Sequence, residues 1–223
     1  MYLNLGRIDW AGYSIAITYI SAGSVLIPLI AGLVRFKVLT SYLKILLILL
    51  GVYFVIEVWL TLLASSGDNN VFLIPVIAIV ELTIIIILYH KVFSDSIWKK
   101  LIIFIPVPFA IFAVLNVIIG DGAVNLGSYI RSVEALLVIG ITLVWFYQAL
   151  NDASIKVIHR EPMFWVSAGF LIYFAGTFFL FITSTYLLEN ARGILVVAYL
   201  INSIANICKN LLFTVALWMR PQT

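Results

Sequence analysis

Five ionisable side chains stand inside apolar runs of this sequence: Glu57, Glu81, Arg131, Glu134 and Lys209. On insertion scales a charge at the centre of a membrane helix costs about 2.5–3.5 kcal/mol. A chain that keeps five must turn them toward one another or toward a polar cavity. Arg131 precedes Glu134 by three residues, which sets the two side by side on one helix face. Tyr53 lies one turn from Glu57 on the same face. Residues 201–210, INSIANICKN, concentrate further polarity around Lys209. At about 100° per residue, Asn202, Ser203, Asn206, Lys209 and Asn210 fall within an arc of roughly 120°. This is one polar face directed into a bundle. A stripe of Gly169, Tyr173, Gly176, Thr177 and Ser184 can face it from the preceding apolar run, with Ser14, Thr18, Ser21 and Pro28 from the first.

The chemistry open to such a set is binding of a small polar ligand, or proton movement through a carboxylate. Glu57, Glu81, Arg131, Glu134, Tyr173, Asn202 and Asn206 are the candidate ligand-binding residues, with Lys209 as counter-charge, paired with a carboxylate such as Glu81. Lys209→Met is then expected to harm stability more than binding. The structural alternative is that the asparagines act as interhelical glue, at about 0.6 kcal/mol each. Gly169 and Gly176 read as packing notches, and Arg131–Glu134 as an anchor for its helix end.

Other chemistries find little support. HExxH, GxSxG and P-loop motifs are absent. The two histidines, His90 and His159, fall in polar connections, and one cysteine, Cys208, makes neither an internal disulfide nor a multi-cysteine metal site. The GDG at 120–122 lacks the frame of an intramembrane aspartyl protease. A lysine in a seventh helix invites retinal as a cofactor on Lys209. Against it, Ala205 stands where microbial rhodopsins carry an acidic residue one turn earlier, and the Glu81 segment lacks their arginine and second carboxylate. The residues favour no enzyme.

The elements that must position these groups follow from composition. Of 223 residues 64% are hydrophobic and 10% charged, with mean hydropathy +1.18, where a soluble domain carries roughly a quarter charged residues. The solvent of this chain is mostly lipid. Seven apolar segments, at about 10–34, 43–64, 71–89, 101–119, 130–150, 163–188 and 194–218, each reach the length of about 20 residues that a spanning helix needs. They are continuously apolar rather than alternating, which selects helices over barrel strands. The expectation is an all-α polytopic membrane protein, a single seven-transmembrane-helix bundle. The first segment is too long for a signal-peptide core and is expected to be retained. The fourth, with Asn116 and two prolines, is expected at the periphery.

Orientation follows from Lys and Arg. With the N-terminus outside, Arg35, Lys37, Lys44, Lys91, Lys99, Lys100, Lys156, Arg160 and Arg220 lie inside, against Arg7, Arg131 and Arg192 outside. That bias predicts N-out, C-in. Trp10 and Trp59 at one end, and Trp98, Trp165 and Trp218 at the other, fit aromatic belts. The excess of three positive charges implies the lipid bilayer rather than nucleic acid as the partner.

PMFWVSAGFLIYFAGTFFLFI at 162–182 and INSIANICKNLLFTVALW at 201–218 carry a Pro-x-Phe-Trp entry, a Tyr-x-x-Gly turn and a paired-Asn final helix. With SAGSVLIPLIAGLVRFK at 21–37, the Glu57 and Glu81 helices and RSVEALLVIGITLVWFYQAL at 131–150, the chain resembles an uncharacterised seven-helix bacterial membrane protein family of Bacteroidota type, associated with histidine kinases. The resemblance implies a stand-alone seven-helix protein of the bacterial inner membrane, points to Glu57, Glu81, Arg131, Glu134, Tyr173 and Asn206, and supplies no activity. The leading expectation is a receptor-like sensory protein with an unknown small ligand and a histidine kinase or other cytoplasmic signalling partner. The alternative is a small-molecule or proton-coupled transporter; a rhodopsin-like protein and a structural subunit stand behind it.

Overall fold

The computed structural model describes residues 10–66, 73–119, 123–153, 157–190 and 192–219. It is all-α. Among the described residues nine α-helices follow in order: α1 Trp10–Ser24, α2 Leu26–Val34, α3 Ser41–Ser66, α4 Leu73–Val92, α5 Ser96–Ile103, α6 Pro106–Ile119, α7 Ala123–Asn151, α8 Pro162–Asn190 and α9 Arg192–Trp218, with short 3₁₀ turns at Phe36–Val38 and Ile158–Arg160. Among the described residues seven spans are long and apolar enough to cross a membrane. Two are broken, α1–α2 and α5–α6.

Proline explains both breaks. A proline inside a helix cannot donate to the carbonyl four residues back, and its ring crowds that carbonyl. Pro28 therefore interrupts the first span at Val25, one residue past Ser24, and Pro106 the fourth at Phe104–Ile105, just past Ile102. Pro75 and Pro162 fall in the first turns of α4 and α8, where the missing N–H costs nothing.

The expected boundaries need correction at three places. Residues 90–100, read as a polar connection, are mostly helical. α4 continues through His90 and Lys91, and α5 begins at Ser96, where Asp95 caps it by accepting from the Ile97 N–H at 2.7 Å. α7 starts at Ala123 rather than near 130, and α8 and α9 are separated only at position 191. Local capping overrode hydropathy in the first case, and in the second the helix runs on through the polar Asn125 and Ser128. Arg7, Lys156, Arg220 and the GDG at 120–122 lie outside the described residues, as do the side chains of Trp10 and Arg192.

Six spans close a ring: α1–α2 against α9, α9 against α8, α8 against α7, α7 against α4, α4 against α3, and α3 back to α2. α5–α6 packs outside it on α4 and α7. Only 17% of that span is buried, against 28–50% in the other six, which is the peripheral place that its composition suggests. Large apolar side chains such as Val55, Ile87, Ile111, Leu143, Phe179 and Ile204 are exposed around the bundle, as lipid-facing surface requires.

Two contacts fix α9. Arg35 Nη1 donates to the carbonyls of Leu217 and Met219 at 3.2 Å each, and to that of Trp218, while its guanidinium stands 5.6 Å from the Trp218 ring centroid. A cation on the last carbonyls of a helix opposes the negative end of its dipole. Arg35→Met is expected to lower stability by about 1 kcal/mol, read from unfolding in mixed micelles.

At Gly169 an added Cβ would meet Phe213 Cε1 at 2.9 Å and the Lys209 carbonyl oxygen at 3.3 Å. At Gly176 it would meet only Ala205 Cβ, at 3.8 Å. Gly169 is thus the packing notch expected of it, and Gly176 is not, because α8 and α9 leave room for a methyl group there. Gly169→Ala should cost about 1–3 kcal/mol by overpacking. Gly176→Ala should be neutral or gain up to about 1 kcal/mol, the helix preference of alanine over glycine. Equal effects at the two sites would contradict this geometry.

Candidate functional site

Within the ring lies a cavity of about 280 Å³, in the half of the bundle that holds the start of α1. α1 supplies Thr18 and Ser21, α3 Tyr53 and Glu57, α4 Glu81, α7 Arg131 and α8 Tyr173; α9 supplies Asn202, Ser203, Asn206, Lys209 and Asn210. Ile56, Leu60, Ile74 and Ile77 form an apolar wall on α3 and α4. Polar groups thus enter from every helix of the lining, and α3 and α4 add apolar surface beside theirs.

The charges sort into two groups. Arg131 Nη1 lies 2.8 Å from Glu81 Oε2 and 2.6 Å from Glu134 Oε2, bridging α4 to α7 through a single nitrogen. Tyr53 donates to the other Glu81 oxygen at 2.6 Å, so both oxygens of that buried carboxylate are engaged. The Arg131 guanidinium also lies 5.5 Å from the Phe181 ring centroid. Such pairing is what makes a buried carboxylate tolerable.

Lys209 is the second group, and here the sequence expectation is revised. It is 4% exposed. Among the described residues no carboxylate oxygen comes within 4.0 Å of it, since Arg131 and Tyr53 take Glu81 instead. Its Nζ stands over two aromatic faces, 4.1 Å from the Tyr173 centroid and 4.5 Å from that of Tyr53. The ring quadrupoles attract the ammonium, and Glu81 and Glu57 act on it at longer Coulombic range. Aromatic faces accept no strong hydrogen bond, so the three N–H groups of this ammonium meet no strong acceptor among the described residues.

The polar face of α9 is divided in its use. Asn206 Nδ2 donates to Ser21 Oγ at 3.0 Å and to the Ser21 carbonyl at 3.3 Å, and Asn210 Nδ2 donates to Ser24 Oγ at 2.7 Å. These bonds hold α9 to α1 as interhelical glue. Among the described residues the buried Oδ1 atoms of Asn202 and Asn210 have no hydrogen-bond partner. A buried polar atom left so is costly and points to a group that supplies the missing bond.

Of the residues expected at a site, Glu57, Glu81, Arg131, Tyr173, Asn202, Asn206 and Lys209 line this one cavity. Glu134 does not: it is fully buried behind Arg131, with its Oε1 lacking a partner among the described residues, and holds the guanidinium rather than facing the space. Tyr53, Ser21 and Asn210 were not anticipated as site residues. Tyr53 was legible from its position one turn before Glu57, and Asn210 from the polar arc of α9. The role of Ser21 depended on how α1 crosses α9.

One turn beyond the cavity on α4, α8 and α9, the interior closes. Ile85, Phe170, Phe174 and Phe213 are fully buried, with Phe170 5.0 Å from Phe213 and 6.3 Å from Phe174 between ring centroids. Past this apolar floor the Tyr89 hydroxyl hydrogen-bonds Ser167 Oγ at 3.0 Å and Thr142 Oγ1 at 3.1 Å.

No protein-family model, curated protein or solved structure matches the chain. What stands of the expected resemblance is the seven-helix membrane architecture; no family or taxon beyond it is supported.

Proposed function

We propose that this is a receptor-like sensory protein of a bacterial inner membrane, N-out and C-in, that receives a small ligand in the polar cavity and signals through a cytoplasmic partner such as a histidine kinase. The observation that carries the reading is the buried Lys209 ammonium, which faces the cavity over two aromatic rings with no carboxylate oxygen within 4.0 Å among the described residues. A purely structural charge is normally paired, whereas intramembrane charges that face a cavity mark functional sites. The aromatic floor favours a receptor over a transporter, because a transported molecule needs a continuing path.

A metabolite that raises the melting temperature of the purified protein is expected to lose at least tenfold in affinity in Glu57→Gln. Flux of that metabolite into proteoliposomes, driven by a pH gradient, would decide for a proton-coupled transporter using Glu81. A C-terminal fluorescent-protein fusion that stays dark in cells would overturn the C-in orientation. Purification from native membranes tests the kinase partner.

A further inference from the structure

Between α3 and α4 lies a second space, a groove of about 520 Å³ that is apolar throughout, with Val55, Trp59, Val76 and Val80 among its walls. It is lateral: these four side chains are on the exposed surface of the bundle. Ile56, Leu60 and Ile77 line both this groove and the polar cavity. The two spaces are therefore neighbours across three side chains, one facing lipid and the other holding buried charges.

We propose that together they bind a neutral, single-tailed amphiphile with a hydroxylated head, of the monoacylglycerol type, its head in the cavity and its tail in the α3–α4 groove. This rests on the ligand-binding reading above and names the ligand class. The head chemistry follows from what the cavity lacks. Lys209 Nζ, over two rings, lacks an acceptor among the described residues, and the amides of Asn202 and Asn210, whose Oδ1 atoms lack a donor among those residues, line the same space. A hydroxyl both accepts and donates; an ammonium head would only donate, and a carboxylate head would only accept. Charge argues the same way. The cluster holds three carboxylates, on Glu57, Glu81 and Glu134, against two cations, Arg131 and Lys209, so an anionic head would add to an existing formal excess of negative charge in a low-dielectric site.

The tail has a different role. An acyl chain gains no hydrophobic free energy by leaving one apolar phase for another, so the groove does not drive binding. It lets a molecule still resident in the bilayer present its head to Lys209 without crossing water. Selectivity then lies in the head and access in the tail.

The test uses the full-length protein in phosphatidylcholine nanodiscs doped with a monoacylglycerol that carries a photoreactive diazirine in its tail. After illumination, peptide mapping is expected to place label at Val55, Trp59, Val76 and Val80 at least fivefold above the equally lipid-exposed Leu115 and Leu143. In Lys209→Met, groove labelling should fall to that background. Val76→Trp, which fills the groove and leaves the cavity wall in place, should abolish it independently should Lys209→Met fold poorly. The unlabelled monoacylglycerol should compete at least tenfold better than the fatty acid of the same tail. Label spread evenly over all lipid-facing helices, or unchanged in both variants, would overturn the proposal, as would equal competition by the fatty acid. If glycerol alone protects Lys209 from an amine-reactive reagent as well as the amphiphile does, the amphiphile is overturned while a ligand-binding cavity stands.

Discussion

Arg131→Met is expected to remove about 3–5 kcal/mol of stability, the largest effect of any single charge change in this chain. Glu81 is 3% exposed and Glu134 fully buried, and one Arg131 nitrogen serves both, at 2.8 and 2.6 Å. Without it two carboxylates share a low-dielectric space with no cation in contact. Glu134 has no reserve, because its second oxygen already lacks a partner among the described residues. Glu81 keeps only the Tyr53 hydroxyl, a neutral donor. The cost therefore comes from orphaned charge rather than from lost attraction, since a buried ion pair as a whole contributes little against well-packed apolar replacements. That distinction is testable. Adding Glu81→Gln and Glu134→Gln to Arg131→Met should recover most of the loss in an unfolding titration in mixed micelles. A loss below about 1 kcal/mol in the single variant, or no recovery in the triple, would show that the cluster is not the electrostatic keystone of the α4–α7 contact.

The same physics explains what could be read from the sequence. Lipid as solvent makes every span declare itself by length and hydropathy, so seven spans were legible. Intramembrane charges are costly enough that their convergence was legible too: Glu57, Glu81, Arg131 and Lys209 were expected in one interior and line one cavity. The partner of each charge was not. Glu81 had both Arg131 and Lys209 as candidate cations, and only the relative rotation of α4, α7 and α9 decides between them. Arg131 won because its guanidinium spans α4 and α7 at once, which left Lys209 to Tyr53 and Tyr173. Tyr53 and Tyr173 could be placed near the site from the sequence, but that their ring faces would take the lysine could not, since it depends on how α3, α8 and α9 are rotated. Glu134 was misplaced for a related reason: the i,i+3 spacing predicted its contact with Arg131 but not which of the two faces the cavity. Helix breaks were recoverable in principle from Pro28 and Pro106, whereas the helix start at Ser96 depended on the Asp95 cap, which hydropathy does not register, and that at Ala123 on a polar first stretch that hydropathy reads as a connection.

The aromatic floor carries the second large effect. Phe170→Ala is expected to cost about 3–5 kcal/mol, because Phe170 is fully buried and packs on Phe213, Phe174 and Tyr89 at centroid distances of 5.0, 6.3 and 6.3 Å. In lipid the loss is one of close packing, which is what holds membrane helices together, and the four aromatic rings come from three different helices. A void lined by phenylalanine and isoleucine would stay dry in isolation. This one would lie between a cavity of buried charges and the Tyr89–Thr142–Ser167 hydroxyls, so polar groups at both ends could draw water across it. Phe170→Ala is therefore expected to raise proton leak in proteoliposomes above that of the wild type, while Phe170→Leu, which keeps most of the volume apolar, should not. A destabilised Phe170→Ala protein with an unchanged leak would make the floor a packing element only. The preference for a receptor over a transporter would then have to rest on ligand binding and flux measurements alone, because the barrier beneath the cavity would no longer be a property of these rings.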